Sequence, residues 1–462
     1  MDKVEIEKVA KEIYKLADTK LFALAFARLR VLLKELHEWW AIERCEELET
    51  LCGQMLKYSL GDYEDPQRGD IVEKLQCDIY LLVDDVVEAI YAKSKNSYVY
   101  VQKHLYSKWS LDLSFVDDSV LEEDRETFDL LWEDGLKRIF CSLWLMGRLS
   151  VDECNYVIAF LCDEGISLTP RAMALSALML KALRIYDEFV FSIFLDVLEG
   201  ENAVLRARAM VGLLMLLAVH GKRVEKNGVL KERIERLFEN DKNVGAIDKA
   251  YKHIINTFGT DKVTKKITTE IYPEIFKSGA KLHQMLKEEG GDAMNDDEFN
   301  PKWEKALMDD EGVSAKLREF GDMQMQGADV YMSTFSNMKG YSFFNELAHW
   351  FMPFDVKQGD VARMMADMPD VLRFFAESTH ICNSDKYSFF YSIAQIPVAN
   401  FKSMMTGMGA DAEAVREDLD SESWKNNPEK LYAVEVRNYV LDLFRFYRLY
   451  PRRKEFVNPF DF

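Results

Sequence analysis

The spacing of apolar residues along the chain is the feature that most constrains its fold. In the segment KLFALAFARLRVLLKELHEWW, apolar residues recur every three or four positions, which places one broad stripe on a helix: Leu21, Leu24, Phe26, Leu29, Val31 and Leu32. Almost no stretch alternates at every second position, as a half-buried strand does. Only 10 prolines and 22 glycines interrupt the 462 residues. The sequence therefore predicts an all-α fold.

Two of the predicted helices resemble each other. The segment Thr169 to Leu183 aligns with Val204 to Ala218 at an offset of 35 residues, matching these pairs: Arg171 with Arg206, Ala172 with Ala207, Ala174 with Ala209 and Leu178 with Leu213. Small residues at fixed positions let helices approach closely. The offset is near the roughly 34 residues of tetratricopeptide repeats and below the roughly 40–47 of HEAT repeats. We predict a right-handed α-solenoid or superhelix of helical hairpins, with an irregular helical bundle as the alternative.

Composition divides the chain into four predicted regions. Residues 1–115 form N-terminal helical hairpins, and residues 116–262 form HEAT-like repeats. Residues 263–420 form a helical region rich in aromatics and methionine, because 11 of the 21 methionines lie between Met323 and Met408. An acidic loop is expected in this region near 287–301. Residues 421–462 are predicted to be the start of a further helical repeat that is cut short, so we expect the chain to be the N-terminal part of a longer protein.

Charge and hydropathy narrow the class of function. The formal net charge is -20, which disfavours general binding to nucleic acid phosphates. The N-terminus is charged from Asp2 and has no apolar signal segment. The longest uncharged apolar run, Ala209 to Val219, is shorter than the roughly 18 residues of a membrane span. We predict a cytoplasmic protein without membrane insertion.

The cysteines give no motif for a metal or a disulfide framework. There are seven, an odd number, and no Cys-x-x-Cys pair occurs. Most lie in apolar helical surroundings, where a free thiol behaves as a small hydrophobic residue. Buried free thiols are therefore the favoured interpretation, over a disulfide or a zinc site.

Motifs for catalysis are weak. The sequence contains no phosphate-binding Gly-rich loop, nucleophile elbow or His-Glu-x-x-His motif. The pair Glu346 and His349 has the spacing found in di-iron bundles, but such a site needs a second pair of this kind and two further glutamates. A surface ion pair or a capped histidine is the simpler interpretation. His380, Cys382 and Asp385 lie close in sequence without the arrangement of a nucleophile and its base. We expect neither a cofactor nor a resident metal.

Two further sequences resemble ligand motifs only in part. GMGADA, with Gly407 and Gly409, lacks the preceding strand of a dinucleotide fingerprint. The acidic turn that contains Asp292, Asp296 and Asp297 lacks the ligand spacing of a calcium loop. A solvated loop is the better interpretation of that turn.

The segment GYSFFNELAHWFMPFD, from Gly340 to Asp355, is unusually aromatic. If it is helical, one stripe contains Phe343, Leu347, Trp350 and Phe351, with Phe344 beside it and Phe354 after the helix-ending Pro353. The simpler interpretation is a filled core. The alternative is an exposed groove for a partner segment, because methionine adapts its shape and aromatics dominate binding hot spots. Phe343, Phe344, Trp350, Phe351 and Phe354 are therefore candidate partner-binding residues.

The C-terminal segment contains the one dense basic cluster of this acidic chain, comprising Arg445, Arg448, Arg452, Arg453 and Lys454. Spacing of three and four residues puts Arg445, Arg448 and Arg452 on one helical face if Pro451 does not break the helix. The cluster either pairs with acidic residues of a neighbouring repeat or binds an acidic or phosphorylated partner. If the cluster binds an acidic or phosphorylated partner, the four arginines are candidate partner-binding residues.

Several segments carry a resemblance to a known group. GADVYMSTFSNMKGYSFFNELAHWFMPFD, the EDPQR turn and FRFYRLYPRRKEFVNPF resemble segments of long bacterial proteins that are described as tetratricopeptide repeat proteins of unknown function. The resemblance covers most of the chain and implies a helical-repeat protein, with more regular repeats following. The consensus Trp-x-x-Leu-Gly-x-x-Tyr of such repeats is absent from these residues.

The expected function is a non-enzymatic scaffold for protein–protein interaction, because solenoids present extended binding surfaces. One alternative is a helical enzyme or a metal- or cofactor-binding protein with a site near Glu346, His349 and His380. A second alternative is a structural subunit of a larger assembly.

Overall fold

The computed structural model describes residues 1–59, 66–106, 111, 113, 125–271, 329, 332, 340–356, 358–366, 376, 378, 381–393 and 427–461. Every regular element in these residues is a helix or a helical turn, which confirms the predicted all-α class. The acidic turn near 287–301, the GMGADA segment and His380 lie outside the described residues, as does most of the Met-rich zone.

The first four helices share a core of their own. They are α1 (Lys3–Asp18), α2 (Phe22–Leu36), α3 (Trp39–Ser59) and α4 (Arg68–Lys93). The predicted stripe of α2 is partly confirmed, because Leu29 and Leu32 are fully buried whereas Leu21 and Leu24 are about half exposed. Asp2 caps α1 by accepting a hydrogen bond from the Glu5 amide at 2.8 Å. We call α1 to α4 the N-terminal unit.

Nine helices occupy the middle of the described chain. They are α5 (Tyr98–Tyr106), α6 (Arg125–Leu145), α7 (Val151–Cys162), α8 (Leu168–Arg184), α9 (Glu188–Leu198), α10 (Ala203–Val224), α11 (Gly228–Glu239), α12 (Asp241–Thr257) and α13 (Thr260–Lys266). A π-helical turn, Ile267–Ile271, follows α13. Helix α8 packs between α6 and α10, while α9 packs between α7 and α11. Alternate helices therefore pack side by side through this region.

Local sequence explains where these helices begin. Ser150 and Glu153 form a reciprocal capping box at the start of α7. Asn202 and Asn227 cap α10 and α11 by accepting hydrogen bonds from backbone amides at 3.1 Å. Each cap satisfies amide groups that have no partner inside the helix.

The two aligned segments lie within α8 and α10, which pack against each other. The matched alanines and leucines are buried: Ala172 with Ala207, Ala174 with Ala209 and Leu178 with Leu213. Gly212 packs so closely on α9 that an added Cβ atom would lie 2.5 Å from Phe194 Cε2. Small residues therefore do allow close approach of helices here, as the alignment suggested.

The described C-terminal residues return to the middle helices. Two short 3₁₀ turns, Ser342–Asn345 and Ala348–Phe351, precede α14 (Gly359–Ala366), α15 (Asn383–Ile393) and α16 (Pro428–Leu449), and a third turn spans Arg453–Glu455. Helix α16 packs on α10 and α12. Residues of the predicted regions 116–262, 263–420 and 421–462 thus contribute to one apolar core, as do Tyr98, Val99 and Leu113 of the first region.

Helix α10 is the one helix of the described residues that is long and apolar enough to cross a membrane. In the structure, 61% of its most apolar window is buried by other parts of the chain. Its neighbours include α8, α9 and α16. A helix in the core of a protein can be as long and as apolar as one that crosses a membrane.

Candidate functional site

The aromatic segment from Gly340 to Asp355 lies in the core. It forms two short 3₁₀ turns rather than one continuous helix. Phe343, Phe344, Trp350 and Phe351 are each at most 5% exposed, and Phe354 is half-buried. The exposed-groove interpretation is therefore wrong for the four buried side chains, which fill the interior instead.

Side chains hold these turns in place. Trp350 Nε1 donates a hydrogen bond to the Phe344 carbonyl at 2.8 Å, and His349 Nδ1 lies 2.8 Å from the Phe343 carbonyl. The Phe351 ring stacks on Phe140 of α6, with ring centres 5.3 Å apart. The segment thus satisfies its own carbonyl groups while its rings pack against α6, α8 and α16.

His349 pairs with a residue that is distant in the sequence. Its Nε2 lies 3.2 Å from Glu133 Oε1 on α6, whereas Glu346 is exposed. The hydrogen bond with His349, helped by Lys137, lowers the pKa of Glu133 to about 2. The predicted Glu346–His349 surface pair is therefore wrong. Glu133 is the partner, because the 3₁₀ turn points His349 inward.

No group of three or more histidine, cysteine or acidic side chains within the described ranges is placed to hold a metal ion. Cys382 is buried and donates a hydrogen bond to Asp385 Oδ2 at 3.2 Å. Burial raises the pKa of the Cys382 thiol. A buried thiol of this kind is a poor nucleophile.

All seven cysteines are unpaired, as predicted. Five are buried, whereas Cys77 is half-buried and Cys162 is exposed. The prediction of burial is therefore wrong for Cys162, which lies at the last position of α7.

Arg445 is fully buried rather than part of a basic surface. Its guanidinium binds both carboxylate oxygens of Asp329, at 2.6 and 2.7 Å. It also binds Asp385 Oδ1 at 2.5 Å and Ser384 Oγ at 3.0 Å. The partner-binding role of Arg445 is therefore excluded by its burial, and its acidic partners are residues that precede α16 in the chain.

The remaining arginines of the cluster lie near the surface but on separate features. Arg448 is exposed and pairs with Asp261 of α13. Arg452 lies beyond the end of α16, with its guanidinium 5.1 Å from the centre of the Tyr98 ring. Arg453 is half-buried, and its Nη1 donates to the Tyr450 carbonyl at 3.3 Å. The predicted face of Arg445, Arg448 and Arg452 does not form, because Arg445 is buried and Arg452 lies beyond the end of the helix.

A surface groove that was not predicted from the sequence lies between α10, α11 and α12. Its volume is about 690 Å³, and its walls are apolar apart from Asp248 and the Tyr251 hydroxyl. The residues lining it are Leu214, Met215, Leu217, Ala218, Phe238, Val244, Ile247, Asp248, Tyr251, Ile254, Ile255 and Phe258. We call this feature the apolar groove.

Several large side chains of the apolar groove are exposed. The exposed fractions are 40% for Phe238, 58% for Tyr251, 46% for Ile255 and 51% for Phe258. A contiguous exposed apolar surface of this kind is typical of an interaction site. The sequence did contain a signal, because Val244, Tyr251 and Phe258 recur at seven-residue spacing beside the buried residues of α12.

A network of charged and tyrosine side chains joins the N-terminal unit to the middle helices. Asp84 of α4 accepts hydrogen bonds from Arg223 at 2.5 and 3.0 Å and from Tyr14 Oη at 2.6 Å. Arg148 binds Asp85 Oδ1 at 2.6 Å and the Leu81 carbonyl at 3.0 Å. Two apolar cores are thus held together by a polar joint.

A cleft opens beside this polar joint. Its volume is about 600 Å³, within the range of small-molecule sites. Residues of α4, the α6–α7 turn, the α8–α9 turn, α9, the end of α10, the α10–α11 turn and α11 line it. They are Cys77, Tyr80, Leu81, Arg148, Leu149, Tyr186, Asp187, Glu188, Phe189, Arg223, Lys226, Asn227, Gly228, Val229 and Glu232. We call this feature the joint cleft.

Comparison with known proteins identifies no relative of this chain. No protein-family model, curated protein or solved structure matches this chain. The resemblance to tetratricopeptide repeat proteins stays a prediction.

Proposed function

We propose that the protein is a non-enzymatic scaffold that binds a helical segment of another protein in its apolar groove. In this proposal α6 to α12 belong to a right-handed α-solenoid of helical hairpins. The side-by-side packing of alternate helices from α6 to α11 supports that arrangement. The scaffold is proposed to work in the cytoplasm, where its free thiols would stay reduced.

The shape of the apolar groove carries the proposal. The wall formed by α12 runs from Val244 to Phe258, a distance of about 21 Å at 1.5 Å per residue. That length matches about four turns of a bound helix. Leu214 and Leu217 of α10 line the opposite wall, and Phe238 of α11 adds an aromatic side chain. Helix-in-groove recognition uses walls of this kind to receive apolar residues spaced by three, four and seven positions.

Charge favours a basic partner. The chain carries a net charge of -20, which attracts cationic segments over distance. The charged residue lining the groove is Asp248, whose ion pair with Lys252 is solvent-exposed and therefore weak. We therefore propose an amphipathic helix with a lysine- or arginine-rich polar face as the occupant.

The test uses a synthetic four-turn amphipathic peptide with a lysine-rich polar face, and a twin with a glutamate-rich face. Fluorescence anisotropy measures binding of each labelled peptide to the full 462-residue chain. Ile255→Glu places a charge in the apolar groove, whereas Leu24→Glu adds the same charge on α2. The two sites are comparable, with 46% of Ile255 and 56% of Leu24 exposed.

We expect the lysine-faced peptide to bind, and Ile255→Glu to weaken binding by at least about tenfold, because a carboxylate is desolvated at an apolar contact. Leu24→Glu should leave affinity unchanged or slightly higher. Equal affinity in the two variants would remove the groove from the proposal. Sedimentation of the protein alone tests a second copy as occupant. A dimer that Ile255→Glu dissociates would assign the groove to self-association.

A further inference from the structure

We propose that the joint cleft binds a planar aromatic small molecule that carries one anionic group. This site is separate from the apolar groove and uses other residues. The proposal rests on three features of the cleft: its volume, its aromatic walls and the charge of Lys226.

The walls of the joint cleft suit an aromatic ring. Tyr80 and Tyr186 are buried residues that line the cleft, and the half-buried Phe189 lines it with them. Leu149 and Val229 add aliphatic surface. Aromatic walls favour planar ligands because rings attract one another in stacked or edge-on arrangements. A volume of about 600 Å³ accommodates a ligand of two or three fused or linked rings.

The arginines of the cleft are already neutralised. Both Nη atoms of Arg223 bind the Asp84 carboxylate. The Arg148 guanidinium binds Asp85 and two backbone carbonyls, those of Leu81 and Tyr186. Neither arginine can bind an anion strongly without releasing a carboxylate of the polar joint.

Lys226 is the cation that remains available. Its Nζ donates a hydrogen bond to Gln76 Oε1 at 2.7 Å, and no carboxylate of the described residues lies within ion-pair distance. An amide oxygen does not neutralise the ammonium charge. Lys226 is also only half exposed, so that an ion pair formed there is less screened than one on the open surface.

The acidic residues of the cleft are each engaged elsewhere. Asp187 is buried and pairs with Lys181 at 2.5 Å. The exposed Glu188 accepts a hydrogen bond from the Asn227 amide, and the exposed Glu232 pairs with Arg236. An amide does not neutralise the Glu188 carboxylate either, but Glu188 is exposed whereas Lys226 is half-buried. The positive charge of Lys226 is therefore less screened than the negative charge of Glu188, which favours an anionic ligand over a cationic one.

The experiment compares three probes that share one ring system. They are 2-naphthoate, the neutral 2-naphthamide and the cationic 2-naphthylmethylamine, each titrated into the intact chain by calorimetry. We expect 2-naphthoate to bind, and the amide and the amine to bind at least about tenfold more weakly, since a charge-assisted hydrogen bond is lost. Binding of the amine as tight as that of the acid, or no binding of 2-naphthoate, overturns the proposal.

Two pairs of variants locate the site. Lys226→Met removes the proposed anchor, and Lys222→Met removes a neighbouring cation of α10 that is 81% exposed and does not line the cleft. Val229→Trp fills the cleft from a position that is 72% exposed, whereas Val4→Trp adds the same side chain on α1 at a position that is 74% exposed. Because both valines are exposed, neither change disturbs the core.

Lys226→Met should weaken the binding of 2-naphthoate by about tenfold and leave the affinity for 2-naphthamide unchanged. Val229→Trp should abolish binding of both. Lys222→Met and Val4→Trp should have no effect. Equal losses in Lys226→Met and Lys222→Met would show general charge attraction and overturn the site. Binding that survives Val229→Trp would do the same.

Discussion

Helix α10 has two unlike faces. The face of α10 towards α8, α9 and α16 is buried, and its residues Ala209, Leu213 and Leu216 are inaccessible to solvent. We call it the sealed face. The face towards α12 is partly exposed to solvent, because Leu214 and Leu217 are half-buried and Ala218 is exposed at the apolar groove. We call it the open face. The two faces are similarly apolar but are buried to different extents.

The difference shows that the approach of a neighbouring helix decides burial. On the sealed face, Gly212 lets the Phe194 ring of α9 pack directly against the α10 backbone. On the open face, α12 makes most of its helix contacts with α16 and α11 rather than with α10. Apolar surface that none of the described helices covers is typical of an interaction site.

Matched leucines on the two faces give the largest expected contrast. Leu213→Ala should lower the free energy of unfolding by about 2–5 kcal/mol, because it leaves a cavity in the sealed face. Leu217→Ala at the groove should cost less than about 1 kcal/mol, because solvent fills the space. Chemical denaturation followed by circular dichroism measures both. Equal losses would mean that the groove is part of the core.

Periodicity could predict α10 but not this contrast. A spacing of three and four residues marks both Leu213 and Leu217 as apolar helix positions. Whether each is covered depends on where α9 and α12 pack, and that depends on the whole fold. The small residues were a usable signal, since the alignment of Ala172 with Ala207 pointed to the close pair α8 and α10.

The aromatic segment marks another limit of sequence reasoning. Its composition indicated either a core or a groove, and the structure shows a core of 3₁₀ turns. His349 was assigned to Glu346 by spacing, but its acidic neighbour is Glu133, more than two hundred positions earlier. Arg445 likewise binds Asp329 through contacts that link distant segments. Local patterns carry no information about such pairings.

The sealed face also contains a titratable group. His220 of α10 is buried, and its Nε2 donates to the Ala182 carbonyl of α8 at 2.8 Å. Burial, with the nearby Arg223 charge, lowers the pKa of His220 to about 4, although Asp84 opposes the shift. Exposed histidine in the unfolded chain titrates near 6.5. Below that pH the unfolded state therefore binds more protons than the folded state.

The sign of the effect follows from this linkage. As the pH falls from about 6.5 towards 4, the titration of His220 should lower the free energy of unfolding, by on the order of 2 kcal/mol at pH 5. His220→Gln keeps a donor for the Ala182 carbonyl but cannot titrate. Its unfolding free energy should therefore fall less over this range. Denaturant titrations at several pH values measure the two slopes, and parallel slopes would place His220 in solvent.

Glycines on α10 give the smallest and most direct comparison of packing. A Cβ atom at Gly212 would lie 2.5 Å from Phe194 Cε2, whereas nothing lies within 4 Å of one at Gly221. Phe194 is fully buried, so that it can move away only if its neighbours in the core move too. Gly212→Ala should therefore cost about 1–3 kcal/mol from overpacking, reduced by up to about 1 kcal/mol of gained helix propensity.

Gly221→Ala gains the same propensity without the clash, so that it should raise the free energy of unfolding by up to about 1 kcal/mol. Thermal and chemical denaturation of the two variants should shift in opposite directions. A second change, Phe194→Leu, should recover part of the loss in Gly212→Ala, because it shortens the side chain that the new methyl group meets. If Gly212→Ala instead stabilises the chain, α9 can move away from α10. The sealed face would then be held by the apolar character of its residues rather than by close contact, and its difference from the open face would be one of degree.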